Sequence, residues 1–350
     1  NLSASNTNSQ YVDVFQDSTG IDTQTNTGRN ASEYVSAESE ALSTISINDT
    51  NYDTYFGTQA QSSTSQGYML QEHSVSGNSG RLSTISDFNP ANTYNGMGTG
   101  SYSEVMAEHF KTGSKFSVNQ NYVLYHQFQS GKRYYSLYKF KDGNTFKPTS
   151  SYFIWRNGSS YNSDFNWVGV DSSNNVTILD DITAATSESN GSITNNQGYT
   201  SSSSTSTYFP ILGYSFTYTG NNGGGYDDVA FGGELKSTAF NATGNFTSNA
   251  ISTADSSTIN KAGAVITYQD NAGTNALNTD IVLQISADNG SNYTTATLTA
   301  LPDFSSGIKC AKVNDLSIGT PGSQLKYKIS FANQSSGVKE ARIRGVSLNY

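Results

Sequence analysis

The sequence predicts an all-β protein, on three observations. Apolar residues recur at every second position over long stretches, as in Leu325, Tyr327, Ile329 and Phe331, the spacing that puts side chains on one face of a strand. Helical spacing is nearly absent. Its best case is 101–113, where Ser101 and Glu104 suit a capping box, Val105, Met106 and Phe110 follow, and Gly113 supplies a stop. The composition agrees: 23 Tyr and 17 Phe among 350 residues, with Val, Ile and Thr runs broken by Gly and Asn turns.

Residues 1–60 hold few core candidates, and 1–67 read as an extended N-terminal element, with a partner-dependent element as the alternative. Within them 32–45 fits neither period. Residues 68–237 are dense in aromatics, above all 122–140 and 152–168. A Ser/Thr tract at 201–207 leads into two strands, 208–219 and 226–236, read as a pair joined by 221–225. The glycines of that joint lack a following Lys-Ser/Thr and a helix, which excludes a phosphate-binding loop. The turn-rich segment 237–250 reads as a linker.

The C-terminal residues, 238–350, are the clearest. Ile281, Leu283, Ile285 and Ala287 share one face, and Asn289-Gly290 is a hairpin dipeptide because both residues accept positive φ. A return strand over 293–300 carries Ala296, Leu298 and Ala300. In 324–331 the apolar face opposes Lys326, Lys328 and Ser330. The final strand, 339–350, alternates Ala341 and Ile343, then changes phase after Gly345 to Val346 and Leu348, which predicts a bulge. Such amphipathic strands suit an antiparallel sandwich with one wet face per sheet.

Charge sets the exclusions. Only 13% of residues are charged, against about 25% in ordinary globular proteins. Nineteen basic residues face 28 acidic ones, a formal charge of −9. Nucleic acid is therefore not an expected partner, because phosphate neutralisation needs clustered cations. No run of 18 apolar residues exists, so no membrane insertion is expected. One cysteine excludes an intrachain disulfide framework. The aromatic content argues against disorder, and heptads are missing. The chain begins at Asn1, so the expectation is a removed leader or a piece of a longer chain. Residues 1–10 show no signal-peptide pattern.

Tyr135-Ser-Leu-Tyr138, the 163–167 stretch ending in Trp167 with Ile178-Leu-Asp180, and Leu212-Gly-Tyr-Ser-Phe216 through Asn222-Gly-Gly224 to Gly233-Glu-Leu235 follow one another over about 130 residues. In that order they resemble the discoidin-like, galactose-binding-like jelly roll of phage and bacterial surface proteins. The family's Arg on the closing strand is missing here. Val12-Asp-Val-Phe15 with 17–22 resembles a segment of marine-phage fibre proteins. Ile285 to Gly290, Tyr293 to Leu298 and Arg344 to Leu348 are similar to sandwich modules that end those proteins. The resemblances imply a discoidin-like jelly roll over 68–237, a smaller antiparallel β-sandwich over 238–350, and a virion structural or fibre protein that meets a host surface.

Candidate site residues follow from side-chain chemistry. Trp155, Arg156, Asn157 and Trp167 are candidates for sugar stacking and hydrogen bonding; the competing reading puts both tryptophans in the core. Asp171, Asn174, Asp227 and Asp228 are candidate oxygen ligands for calcium, against simple turn formation. His73, His109 and His126 are scattered and fit no catalytic motif. The pairs Asp180-Asp181 and Asp227-Asp228 point to opposite faces if they lie in strands, so neither suits a glycosidase. Asn-x-Ser/Thr sequons at Asn30, Asn48, Asn157, Asn241 and Asn289 are chance products of the composition. Cys310 reads as a small core residue.

The expected function is that of a phage tail fibre, appendage or capsid-surface protein on the virion surface, extracellular and without enzymatic activity. Expected partners are other virion proteins, further copies of the chain, and host polysaccharide. The alternatives are a bacterial surface lectin, a glycan depolymerase and a pure scaffold.

Overall fold

The structure is a computed structural model that describes residues 4–7, 9–56, 67–76, 80–85, 109–110, 131–156, 161–162, 164–182, 192–193, 197–218, 225–253 and 257–350. It is all-β, with antiparallel sheets in sandwich-like packing and a short helix at Tyr52–Phe56. The helix expected over 101–113 lies outside the described residues except for His109 and Phe110, which are helical.

The chain forms two compact units. The first is built from both ends of the sequence: Asn1–Glu40 together with Thr238–Tyr350. Its larger sheet runs in the order Ala4–Thr7, Gln10–Asp13, Glu340–Asn349, Ile259–Ala272, Ile308–Gly322, Thr299–Ser305, with Tyr34–Ser36 also paired to Glu340–Asn349 and Gly28–Asn30 beyond it. Its second sheet runs Thr294–Thr295, Ile281–Ser286, Gln324–Phe331, Gly244–Ser248, Ile21–Thr25. One apolar core draws on both sheets, including Phe15, Phe246, Leu283, Tyr327 and Ile343.

The alternation read from the C-terminal residues holds. Ile281, Leu283 and Ile285 are buried, as are Leu325, Tyr327, Ile329 and Phe331. The register of Glu340–Asn349 against Ile259–Ala272 passes from Gly345 opposite Thr267 to Ile343 opposite Tyr268. Arg344 is the extra residue, and the bulge lies where the phase change predicted it. Asn289 and Gly290 both have positive φ, at 58° and 83°.

Three expectations need correction. The element expected over 1–67 is not an extended lead-in: its described residues between Ala4 and Ser36 supply strands to both sheets, and Phe15 and Val35 are fully buried. The segment 237–250 is not a linker. It contains Gly244–Ser248, paired on both sides, to Gln324–Phe331 and to Ile21–Thr25. A single apolar side chain, Phe246, anchors it, too little for a period-two signal. The return strand over 293–300 is broken. Thr294–Thr295 stays in one sheet, Thr299–Ser305 crosses to the other, and Ala300 is exposed.

The second unit is Ala41–Ser237. Its five-stranded sheet runs Val176–Asp181, Asn166–Val170, Ile211–Tyr218, Lys132–Lys139, Gly67–Ser74. A four-stranded sheet runs Gln197–Ser202, Thr145–Arg156, Gly225–Phe240, Glu38–Ile47. The expected pair 208–219 and 226–236 is therefore split between two sheets. The interior is mostly aromatic: Tyr68, Tyr138, Phe153, Phe165, Tyr214 and Phe231 are each buried. Phe165 stacks on Phe216 at 5.2 Å between centroids, and Phe153 on Phe165 at 4.6 Å. Offset and tilted pairs of this kind add to simple area burial.

Candidate functional site

The first unit carries an apolar groove on the outer face of its larger sheet. Alternation explains it. In Ile259–Ala272 the side chains of Ala264, Ile266 and Tyr268 enter the core, which turns Val265 and Thr267 outward. In Gln10–Asp13 the side chains of Tyr11 and Asp13 are buried, which turns Val12 outward. Ser347 is paired with Val12 on one side and with Val265 on the other. A small side chain between two valines leaves a recess. Phe304, close to the Gly307 turn that leads back into Ile308–Gly322, forms one wall and is 73% exposed. Val14 and Ile308 complete the apolar lining, and the groove holds about 390 Å³.

Glu33 and Arg344 mark its polar end. Arg344 is held in place: Nη1 donates to the Ser32 carbonyl at 2.6 Å, and Nη2 donates to Gln269 Oε1 at 2.8 Å. Its guanidinium also lies 5.1 Å from the Tyr34 ring centroid. Chemically the groove offers apolar contact beside a fixed cation and a carboxylate. Surface patches of this kind mark contact sites more often than single exposed side chains do. The sequence carried a signal for it. Val265 stands on the face opposite Ala264, Ile266 and Tyr268, and Val12 and Val14 share the face opposite Tyr11 and Asp13. Only one face of a sandwich sheet meets the core.

The second unit holds a buried ion network. Arg133, fully buried on Lys132–Lys139, donates to Asp164 Oδ2, to Asn166 Oδ1 at 3.2 Å and to Ser215 Oγ at 2.7 Å. Arg81 forks onto Asp164 and also reaches Asp181 at 3.1 Å. Burial alone would raise the Asp164 carboxyl, but the two guanidiniums and Asn166 hold it below the ordinary range. The network ties two loop residues, Arg81 and Asp164, to four strands and is structural in character.

The tryptophans lie in the core. Trp155 is 3% exposed and packs edge-on against Phe165 and Phe216; Trp167 is fully buried and parallel to Phe231. Their faces are covered by rings of the same unit, so neither is a sugar platform, a correction to that candidate set. Arg156 ends Thr145–Arg156, and Asn157 lies outside the described residues.

Asp171 and Asn174 form the turn between Asn166–Val170 and Val176–Asp181. Asp171 Oδ1 accepts from the Ser173 and Asn175 amides at 2.8 and 2.9 Å, and Oδ2 accepts from Asn175 Nδ2 at 2.9 Å. Asn174 takes φ 65°. N–H donors thus surround the carboxylate, the opposite of a cation's needs. Asp227 and Asp228 lie on Gly225–Phe240, in the other sheet of the unit. Asp228 has φ 54° beside a register shift. The structure does not bring the four together, and among the described residues no three His, Cys, Asp or Glu converge.

Asp180 accepts from Ser201 at 2.5 Å while Asp181 meets Arg81, so this pair divides as strand geometry requires. His109 is buried, with Nδ1 2.9 Å from the Tyr138 hydroxyl and its ring stacked on Tyr226. His126 lies outside the described residues. Cys310 is buried, and burial raises its thiol.

No family model matches the chain. No curated protein matches it either. Among solved structures, that of the infectious bursal disease virus Gx strain aligns over 96% of this chain and 76% of its own, at 10% identity and a TM-score of 0.16. The Gt strain structure aligns over the same shares at 12% identity and a TM-score of 0.16. The VP2 subviral particle of that virus gives 11% identity and 0.14. Likeness at this level carries no argument for this chain.

Proposed function

We propose that the chain is a structural protein of a virion exterior that assembles with further copies of itself. The observation that carries this reading is the groove. A projecting Phe304 ring and a recess lined by Val12, Val14, Val265 and Ile308 share one face of the first unit. One patch thus supplies both halves of a self-complementary contact, as a two-fold interface requires. The charge-poor composition supports the reading. Ser, Thr and Asn on outward strand faces keep a large β-rich surface wet with little dependence on salt, since screening acts on charges.

Electron microscopy of the native particle, labelled with antibody against the chain, tests the location. Regularly repeated label on intact particles is the expected result. Label that appears only after particles are broken open contradicts it.

Contact with host polysaccharide is the finer part of the proposal. With both tryptophans in the core, any sugar contact falls to other side chains. A glycan array with the full chain is the test, and absence of retained glycan removes this part without touching the assembly reading.

A further inference from the structure

Asp13 closes the strand Gln10–Asp13 and is fully buried. Its Oδ1 accepts from the Phe15 amide at 2.9 Å. Its Oδ2 takes only long hydrogen bonds, from the Tyr11 and Tyr327 hydroxyls at 3.4 Å each. Space around the carboxyl is closed: a Cβ on Gly20 would stand 2.0 Å from Oδ2.

The charged neighbours do not neutralise it. Arg29 donates to the carbonyls of Phe15 and Gln16, and Arg344 to Gln269 and Ser32. Asp17, on the turn that follows, adds negative charge, and Glu33 lies across the groove. Tyr11 comes from the same strand and Tyr327 from Gln324–Phe331. Burial raises both phenols, so they stay protonated; each hydroxyl donates to ionised Asp13, and its oxygen accepts the carboxyl proton when Asp13 is neutral. Among the described residues this is a buried carboxyl with three donors and no paired cation.

The site stands where the N-terminal residues join the sandwich. Gln10–Asp13 pairs with residues 346–349 at the end of the last strand, and Tyr11 and Phe15 enter the core on either side of Asp13. We propose that Tyr11, Asp13 and Tyr327 form an acid-tightened latch on the N-terminal segment, closed with Asp13 protonated and looser with Asp13 ionised. Opening it frees the 346–349 edge for another strand.

The sign follows from burial. Desolvation raises the Asp13 carboxyl above its ordinary value, and the hydrogen bonds from Phe15, Tyr327 and Tyr11 oppose this without cancelling it. A carboxyl raised in the fold stabilises most below its unfolded pKa, about 3.9. That stabilisation is lost as pH rises through the folded value.

Hydrogen exchange on the full chain tests this. The readout is the opening constant of amides in 10–16, corrected for intrinsic rates, at mildly acidic and neutral pH. The wild type is expected to open more at neutral pH, approaching tenfold for each unit by which the folded pKa exceeds the acidic pH of the comparison. Asp13→Asn is expected to show no such change. Tyr327→Phe removes a donor to the ionised form, so its pH dependence is expected to steepen. A wild type that opens equally at both pH values, or tightens at neutral pH, overturns the latch. So does an Asp13→Asn variant that keeps the wild-type slope. Should that variant fail to fold, an unchanged slope in Tyr327→Phe overturns it instead.

Discussion

Asp164 answers two arginines, Arg81 and the fully buried Arg133. Truncating Asp164 takes this carboxylate away from a buried guanidinium. Breaking a buried pair from one side costs about 3–5 kcal/mol, so Asp164→Ala is expected to lower the unfolding free energy of the second unit by that order, read as a lower urea midpoint, with Asp164→Asn intermediate. Chemical denaturation followed by tryptophan fluorescence reads this directly, because Trp155 and Trp167 lie in the same core. Nothing in the sequence announced the network. Arg81, Arg133 and Asp164 are about 30 to 80 positions apart, and only the folded chain brings them together. Asp280 shows a second residue-scale consequence. Burial would raise its carboxyl, but Lys339, the Ala276 amide and Asn333 hold it down to about 2. A lowered carboxyl stabilises above its unfolded pKa, about 3.9, and that contribution fades as pH falls toward the folded value. Acid unfolding of Asp280→Asn is therefore expected to lack part of the wild-type acid limb between those values, and identical limbs would contradict the assignment.

At the scale of elements, Gly213 sets how closely Ile211–Tyr218 approaches Lys132–Lys139. A Cβ there would lie 2.0 Å from the Ser136 carbonyl oxygen, a backbone atom that cannot swing aside. Gly213→Ala is expected to cost about 1–3 kcal/mol, the usual range for overpacking, seen as a lower melting temperature. The Asp171 turn makes a different prediction. Its carboxylate accepts three N–H bonds, so calcium is expected to leave the melting temperature unchanged. A rise that disappears in Asp171→Ala would restore the cation reading. Elements were legible where alternation was strong, as in Gln324–Phe331 and at the Gly345 bulge. They were illegible where a strand carries one apolar anchor, as Gly244–Ser248 does with Phe246. They were also illegible where a run changes sheet midway, as 293–300 does. Period-two reading sees a face, not the sheet to which that face belongs.

At the scale of the molecule, residues from both chain ends build one sandwich. The Tyr350 amide donates to the Ser9 carbonyl at 3.1 Å, and the Tyr350 hydroxyl to Asn6 at 2.6 Å. Removing residues 1–20 strips Tyr11 and Phe15 from the core and unpairs 346–349. The truncated chain is expected to lose cooperative unfolding of the first unit by calorimetry, whereas an independent N-terminal element would leave that transition intact. Sequence reading foresaw the all-β class and placed Leu325, Tyr327 and Ile329 in the core. It missed the N-terminal contribution because strands such as Ile21–Thr25 have nearly all side chains exposed and hold their place by backbone pairing. The groove was half legible, since Val12, Val14 and Val265 stand opposite the core-facing side chains of their strands. Sedimentation velocity of the full chain across a concentration series, wild type beside Phe304→Asp, tests the assembly account most directly. A wild type that associates and a variant that remains monomeric with an unchanged melting temperature is the predicted result; a wild type that stays monomeric at every concentration contradicts it.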